Sequence, residues 1–265
     1  MDKGICFYFG YNIDKFEMGK MIAESGLNTV MTCADPRFEH QNGNMETQMK
    51  IFKENRLKVS SLHNQYKTEE LENFWKDNEI GERLEKTLIS DIETAKKYGF
   101  KCVVVHTLGT FNEFGKARLE RVLDVCEKNN VYLAVENIDN EHPILDIFEN
   151  VKHPYLKFCY DSGHNNCFDK DFDYLSKYGD KLVCLHLHDN NGLRDQHTLN
   201  RYGTINWDKL AQKLAKLDLS NISLDYELLF YEGEKPEPRE CLKEVYEQAC
   251  TLENLINKYK NTKNS

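Results

Sequence analysis

Short apolar runs rich in β-branched residues alternate along the whole chain with longer stretches whose apolar positions recur at helical spacing. This alternation predicts eight strands, each followed by a helix, with no long linker between the units. The predicted strands cover residues 4–10, 27–33, 57–63, 102–106, 131–137, 156–161, 181–188 and 221–227. The predicted helices cover residues 14–25, 45–55, 81–98, 112–129, 143–150, 170–178, 206–216 and 238–261.

The regular order of strand and helix indicates an α/β fold with a parallel sheet, because parallel neighbours need a crossover between them. Eight such units in 265 residues fit a single (β/α)8 TIM barrel over residues 1–265, with a polar C-terminal tail at 259–265. A doubly wound open sheet is the alternative. Its dinucleotide-binding turn is missing, because Gly10 and Gly19 stand too far apart for a GxGxxG motif.

Side chains that can bind a metal or transfer a proton stand at the ends of six successive predicted strands. They are His63, His106, Glu136, Asp161, His186, His188 and Glu227. In a parallel barrel the carboxyl ends of all strands meet at one face, where active sites are formed. The sequence therefore predicts that these side chains form one cluster in space.

The alternation of side chains along a strand sharpens this prediction. His186 and His188 share the inward face of the seventh strand, and Glu227 lies on the inward face of the eighth. Buried carboxylates are costly unless they are paired or bound to a metal. Imidazole and carboxylate together suit Mn²⁺, Zn²⁺ or Co²⁺, and a mostly carboxylate set suits Mg²⁺. Such a metal polarises a carbonyl or hydroxyl oxygen, and a nearby carboxylate can then act as a general base.

Charge and cysteine content narrow the classes of partner. The chain has 35 Lys and Arg against 44 Asp and Glu, a net charge of 35 − 44 = −9, which disfavours binding to nucleic acid. No apolar run approaches the roughly 18 residues of a membrane span, and the N-terminus lacks the layout of a secretory signal. The nine cysteines include no CxxC pair, so we expect reduced, buried thiols and no thiolate metal site. These features together predict a cytoplasmic protein.

Four segments carry a family resemblance: AVENID (134–139), YDSGHNN (160–166), LHLHDN (185–190) and DYELLF (225–230), with DQHTLNRYGTINW (195–207) after the third. In this order they resemble the xylose-isomerase-like TIM-barrel superfamily. That superfamily includes sugar isomerases, ketose 3-epimerases, inosose dehydratases and isomerases, hydroxypyruvate isomerase and the endonuclease IV class of apurinic endonucleases. The resemblance extends over nearly the whole chain and implies the barrel fold and a metal site.

The resemblance implies a ligand set of Glu136, Asp161, Glu227 and one histidine of the seventh strand. Either His186 or His188 can be that histidine, because family members differ in which inward position binds the metal. In the epimerases the two metal-bound glutamates also transfer protons, which here implies catalytic roles for Glu136 and Glu227.

The resemblance also implies substrate contacts. His164 is expected to contact substrate hydroxyl groups, and His63 is a second candidate. Relatives usually have a Pro-Gly pair before the GxI segment, where this chain reads LNRYGTI. Arg201 stands in for the first glycine, so it could place a cation near an anionic group of the substrate. Apart from the resemblance, four aromatic residues of the loops could wall the pocket or pack the loops, and packing is favoured: Tyr66, Trp75, Phe111 and Tyr231.

The endonuclease-type members use a three-metal cluster with more histidines. This chain has candidates for much of that set: His63, His106, His164, Asp195 and His197. His106 and His197 are therefore additional candidate metal ligands. The leading hypothesis is a divalent-metal-dependent isomerase or epimerase of a small sugar, sugar phosphate, cyclitol or hydroxy-keto acid. The alternatives are an endonuclease IV-like multi-zinc phosphodiesterase, a dehydratase and a non-catalytic barrel. Relatives also suggest a homo-oligomer.

Overall fold

The structure is a computed structural model that describes residues 1–139, 143–232 and 234–262. Eight strands form the inner wall of the fold. They are β1 (Lys3–Cys6), β2 (Thr29–Cys33), β3 (Lys58–His63), β4 (Cys102–Val105), β5 (Tyr132–Glu136), β6 (Leu156–Asp161), β7 (Leu182–His186) and β8 (Leu224–Tyr226).

The helices follow the strands in the predicted alternation. They are α1 (Lys15–Glu24), α2 (Glu39–Asn42), α3 (Met45–Glu54), α4 (Glu79–Tyr98), α5 (Glu113–Asn129), α6 (Ile144–Asn150), α7 (Ser162–Phe168), α8 (Tyr174–Tyr178), α9 (Trp207–Leu214) and α10 (Pro238–Asn261). Short 3-10 turns occupy Pro36–Phe38, Thr68–Trp75, Gly179–Lys181 and Asn200–Tyr202. Every helix among the described residues is too short or too polar to cross a bilayer.

The strands pair in parallel in the order β7-β6-β5-β4-β3-β2-β1-β8. The two ends of this sheet meet just beyond β7, where Leu187 forms a parallel bridge with Tyr226. The Leu187 amide donates to the Asp225 carbonyl at 2.8 Å, and the Glu227 amide donates to the Leu187 carbonyl at 2.9 Å. These bonds bring the ends together into a nearly closed barrel, which confirms the predicted TIM-barrel fold.

Capping residues set the ends of two long helices, α4 and α5. Asn78 caps α4 and Asn112 caps α5, each through a side-chain oxygen that accepts a backbone N–H of the first turn. The left-handed residue Gly99, with φ of 81°, ends α4, and Asn130, with φ of 56°, ends α5. Both residue types tolerate this conformation, so the helices end where the sequence predicts.

Two apolar regions fill the molecule. The larger lies between the outward side chains of the strands and the helices and includes Val103, Leu133 and Phe158. The smaller is formed by inward-facing side chains, namely Cys102, Val104, Ala134, Cys159 and Cys184. All nine cysteines are free thiols.

The structure corrects several boundaries. Residues 170–178 do not form one helix, because α7 begins directly after β6 and a separate α8 follows. The strand β7 ends at His186, so His188 follows the strand instead of lying on it. Helix α10 continues to Asn261, so the first part of the predicted tail at 259–265 is helical, and residues 263–265 lie outside the described residues.

Candidate metal centre

Four buried side chains meet at the carboxyl ends of the last four strands. One donor atom from each of Glu136, Asp161, His186 and Glu227 lies within 4.8 Å of the others. These residues, which we call the central cluster, end β5, β6 and β7 or directly follow β8. Each is at most 6% exposed. The geometry groups His186 with the three carboxylates, although the sequence left it undistinguished from His188.

Glu136 lies at the middle of this arrangement. Its carboxylate oxygens are 3.1 Å from His186 Nδ1, 3.2 Å from His106 Nε2, 3.2 Å from His164 Nδ1 and 3.7 Å from His63 Nε2. Neither oxygen has a hydrogen bond of normal geometry, and the residue has no exposed surface. A buried carboxylate in this state is costly unless a cation compensates it, so the donor set fits a bound metal ion.

The ionisation of the central cluster follows from its burial and its charges. Burial would raise the pKa of Glu136, but the charges of His186 and His106 hold the pKa of this carboxylate well below its usual range. Burial would also raise the pKa of Glu227, but His186 holds it below its usual value. Burial would lower the pKa of His186, but Glu136 and Glu227 raise it well above its usual value. A cation that binds His186 must therefore displace a proton.

His63 and His106 lie beside the central cluster. Their Nε2 atoms are 3.2 Å apart, and the ring of Tyr66 lies 4.5 Å from the ring of His106. Donor atoms of His63, Glu136 and His186 also lie within 4.8 Å of one another. Both His63 and His106 therefore lie within 3.7 Å of the Glu136 carboxylate.

A second group of donors lies next to the first. It consists of His164, His188, Asp195 and His197, and we call it the loop cluster. The Asp195 carboxylate is 3.0 Å from His197 Nε2, 3.4 Å from His164 Nε2 and 3.8 Å from His188 Nε2. His164 is the third residue of α7, and the other three lie on the segment between β7 and α9.

His188 joins the two clusters. Its Nε2 is 3.0 Å from Asp161 Oδ1 and 3.1 Å from Asp161 Oδ2, and its ring stacks on His197 with centroids 3.8 Å apart. The ring fits because residue 163 is glycine, since a Cβ there would lie 1.9 Å from His188 Cε1. Ser162 Oγ donates to the His188 carbonyl at 2.8 Å, which fixes the backbone at this point.

The segment that carries Asp195 and His197 is anchored by Asp189, a buried residue that follows β7. The Asp189 Oδ1 accepts the amides of Asn190, Thr204 and Ile205 at 2.8, 2.9 and 3.1 Å. Its Oδ2 accepts the indole N–H of Trp207 at 2.7 Å. This buried carboxylate therefore joins both ends of the β7–α9 segment.

Asn137 holds the ends of β5 and β6 together, a role that was not predicted for it. Its Nδ2 donates to the Asp161 carbonyl at 2.8 Å, and its Oδ1 accepts the Asp161 amide at 2.9 Å. The only signal for this role is its position directly after Glu136. Asp161 also caps α7, because its Oδ1 accepts the His164 amide at 2.7 Å.

A cavity of about 460 Å³ opens beside both clusters. The acidic, basic and histidine side chains that line it are Asp35, Arg37, His63, Lys67, Glu69, His106, His164, Asp195, His197 and Glu227. Tyr66 and Tyr231 line the cavity as well, although the sequence favoured a packing role for them. Arg201 is not among the lining residues, because its guanidinium pairs with Glu244 on α10.

Comparison with known proteins identifies related sequences. The sequence model of the family described as "Xylose isomerase-like TIM barrel" matches residues 20–246. The uncharacterized protein y4fM of Sinorhizobium fredii is 30% identical over 143 residues, which are 47% of this chain and 46% of that protein. The uncharacterized protein MJ1614 of Methanocaldococcus jannaschii is 29% identical over 154 residues, 51% of this chain and 60% of that protein. The chain thus spans about half the length of the curated relatives it matches.

Solved structures share the fold over nearly the full length. An L-ribulose 3-epimerase superposes with a TM-score of 0.79 at 12% identity, covering 99% of this chain and 98% of that one. A D-tagatose 3-epimerase-like protein gives 0.77 at 17% identity, covering 97% and 99%. The IOLI protein with a bound zinc atom gives 0.70 at 18% identity, covering 97% and 99%. At these identities the likeness establishes the fold alone.

Proposed function

The chain belongs to the xylose isomerase-like TIM barrel family, and from that premise we propose that it is a divalent-metal-dependent isomerase or epimerase. Its substrate would be a small sugar, sugar phosphate, cyclitol or hydroxy-keto acid. The observation that carries the proposal is the central cluster, in which two glutamates, an aspartate and a histidine converge beside a cavity of about 460 Å³. That volume lies in the range typical of small-molecule sites.

Glu136, Asp161, His186 and Glu227 would hold the metal, which is Mn²⁺, Zn²⁺, Co²⁺ or Mg²⁺. The fit rests on the two oxygens of Glu136, which are buried without a hydrogen bond. When bound, the metal supplies a Lewis acid that polarises a substrate carbonyl and makes the neighbouring C–H more acidic.

The carboxylates of the chain would carry the proton. Glu227 lines the cavity, so we assign to it the removal of a proton from the carbon next to the carbonyl. Glu136 would have to be protonated before the reaction begins, and it would then return this proton to the opposite face of the same carbon in an epimerase or to the neighbouring carbon in an isomerase. The charge of His186 holds the pKa of Glu227 below its usual value, so this carboxylate is ionised and can accept the substrate proton.

The other lining residues would select and orient the substrate. His164 and His63 line the cavity and are suited to contact hydroxyl groups. The faces of Tyr66 and Tyr231 are suited to pack against the C–H surface of a sugar. The ion pair of Arg201 with Glu244 favours a structural role for this arginine over the substrate contact that the resemblance implies.

The test is the exchange of substrate C–H protons with solvent deuterium, followed by NMR. Ketoses, sugar phosphates, cyclitols and hydroxy-keto acids are offered to the chain loaded with Mn²⁺, Co²⁺, Zn²⁺ or Mg²⁺. We expect exchange with at least one substrate, loss of exchange in Glu227→Gln, and no effect of Lys243→Ala on the exposed face of α10. The absence of exchange for all substrates and metals would refute the proposal.

A multi-zinc phosphodiesterase of the apurinic-endonuclease type is a second candidate. One observation favours it, namely that His63, His106 and the loop cluster provide metal-binding side chains beyond those of the central cluster. The net charge of −9 opposes DNA as a substrate, because affinity for a phosphate backbone comes mainly from cationic side chains. Nicking of abasic DNA, with three zinc ions per chain, would support this candidate over the isomerase.

A further inference from the structure

Strained backbone is found next to the cavity. Among the residues that the structure describes, four other than glycine have a left-handed backbone: Arg56, Asn130, His197 and Phe230. Arg56 follows the last turn of α3 and Asn130 ends α5, where this conformation is common. His197 and Phe230, with φ of 46° and 52°, lie on two different loops and end no helix. Strain of this kind away from helix ends is often found at functional sites.

Hydrogen bonds join these two strained residues. The His197 carbonyl accepts the amides of Leu229 and Phe230, each at 3.2 Å. In the opposite direction, His197 Nδ1 lies 3.0 Å from the Glu227 carbonyl, and because a carbonyl can only accept, the ring donates this bond. We call these three hydrogen bonds the 197–230 clasp. The clasp ties the β7–α9 segment to the chain that directly follows β8.

The clasp fixes the backbone of Glu227, the first residue after the three-residue strand β8. The Glu227 amide donates to the Leu187 carbonyl at 2.9 Å, and the Glu227 carbonyl is held by His197. Successive amides can converge on one acceptor where the chain turns into a left-handed conformation. The φ of Phe230 therefore has a geometric reason, which is to direct two amides at the His197 carbonyl.

We propose that Phe230 is a positioning residue, whose left-handed backbone keeps the 197–230 clasp closed and thereby directs the Glu227 carboxylate at the substrate. This inference rests on the proposed function, in which Glu227 removes the substrate proton. Phe230 acts through its backbone, because its side chain does not line the cavity. Its ring instead packs edge-on against Tyr11, with centroids 5.8 Å apart.

Two substitutions that both remove the ring of Phe230 separate the backbone from the side chain. Asparagine tolerates a left-handed backbone, whereas valine, which is branched at Cβ, does not. Proton exchange is measured on the fastest substrate of the ketose, sugar phosphate, cyclitol and hydroxy-keto acid panel. We expect Phe230→Asn to keep kcat, and Phe230→Val to lower kcat by up to about 100-fold with little change in KM, because a catalytic group misplaced by about 1 Å can cost this much. Equal losses in both variants would assign the effect to the ring and overturn the proposal.

A control variant separates positioning from general strain. Arg56→Val places the same branched residue at a left-handed position that does not line the cavity. We expect it to lower the stability of the fold and to leave kcat unchanged. A similar loss of kcat in Arg56→Val would contradict a specific role for Phe230. Far-UV circular dichroism identifies a variant that has failed to fold. If Phe230→Val does not fold, Phe230→Ala should give a smaller loss of kcat, because alanine disfavours left-handed backbone less strongly.

Amide hydrogen exchange followed by NMR tests the clasp without a substrate. The Leu229 and Phe230 amides should exchange several-fold faster in Phe230→Val than in the unaltered chain, because their bonds to the His197 carbonyl are lost. In Phe230→Asn the amides at positions 229 and 230 should stay protected. Equal protection in both variants would overturn the proposal. If the expected pattern appears but no substrate of the panel exchanges its proton in the unaltered chain, the proposed function alone is refuted.

Discussion

At the scale of single residues, Gly163 shows how one missing methyl group makes room for a metal-competent histidine. A Cβ at this position would lie 1.9 Å from His188 Cε1. Alanine is favoured over glycine within a helix by up to about 1 kcal/mol, but overpacking a filled site costs about 1 to 3 kcal/mol. We therefore expect Gly163→Ala to lower the free energy of unfolding by about 1 kcal/mol, measured by urea denaturation.

A double-mutant cycle separates the clash from a general effect on α7. Truncation of the ring in His188→Ala removes the atoms that the new methyl group would meet. The double variant should then be more stable than the sum of the two single changes predicts. Additive effects would mean that Gly163 matters for some reason other than space for His188.

The sequence could not predict which of His186 and His188 lies with the three carboxylates of the central cluster. Both residues have the same inward parity, so alternation along the strand cannot separate them. Their difference is depth in the barrel, which depends on the register with the neighbouring strand, where His186 pairs with Asp161. A register shift between Phe158 and Cys159 contributes to this pairing, and no sequence pattern predicts the shift.

At the scale of elements, the β7–α9 segment depends on the buried carboxylate of Asp189. In Asp189→Asn an amide N–H₂ would replace one carboxylate oxygen. This N–H₂ group cannot accept the hydrogen bonds that backbone amides or the indole of Trp207 now donate to that oxygen. A buried donor left unpaired costs about 1 to 3 kcal/mol. We expect faster amide hydrogen exchange throughout residues 190–206, with protection in β1 to β4 unchanged. Uniform loss of protection over the whole barrel would contradict a local anchoring role.

The contact between α4 and α5 includes a partly buried ion pair between Arg118 and Glu85. Arg118 is 1% exposed, and its Nε donates to Glu85 at 3.0 Å. Removal of one partner from a buried pair costs about 3 to 5 kcal/mol, and Arg118 keeps bonds to the carbonyls of Phe74 and Lys76. We expect Glu85→Gln to lose about 2 to 3 kcal/mol of stability at pH 7 in urea unfolding.

The same pair gives a pH dependence with a definite sign. Burial would raise the pKa of Glu85, but Arg121 and Arg118 hold it below its ordinary value near 4.5. A carboxylate with a depressed pKa stabilises the fold above the unfolded pKa and loses this effect as pH falls through the folded pKa. The stability difference between the unaltered chain and Glu85→Gln should therefore be constant from pH 7 to about 5 and shrink below about 4.5. A constant difference down to pH 3 would exclude the pair as its source.

Most elements follow from the sequence, and the exceptions have physical causes. Strands β3, β5 and β6 and helix α5 lie within two residues of their predicted limits, because apolar periodicity and asparagine caps act locally. Helix α7 was not predicted because it has no amphipathic pattern. Its first four residues are all buried. Its start is set by the capping bond from Asp161, a residue singled out as a metal ligand.

At the scale of the whole molecule, the barrel converts scattered sequence positions into one site. His63 and Glu227 are 164 positions apart, yet both line the same cavity because the eight parallel strands end at one face. This convergence could be predicted, because it follows from topology alone. The division of the side chains into two clusters could not, because it depends on how α7 and the β7–α9 segment fold back over the strand ends.

Ions held at this face should stabilise the entire barrel, because the central cluster joins β5, β6, β7 and the residue after β8. A ligand present at 100 times its dissociation constant adds about 2.7 kcal/mol to the stability of the folded state. For a chain of this size that corresponds to roughly 5 to 10 °C in Tm. We expect a chelator to lower Tm by this amount, Zn²⁺ to restore it, and a variant with both Glu136→Gln and Glu227→Gln to respond to neither. Scanning calorimetry with parallel elemental analysis measures both quantities. If the metal leaves and Tm does not move, the carboxylates and histidines must compensate one another in the folded barrel without a cation.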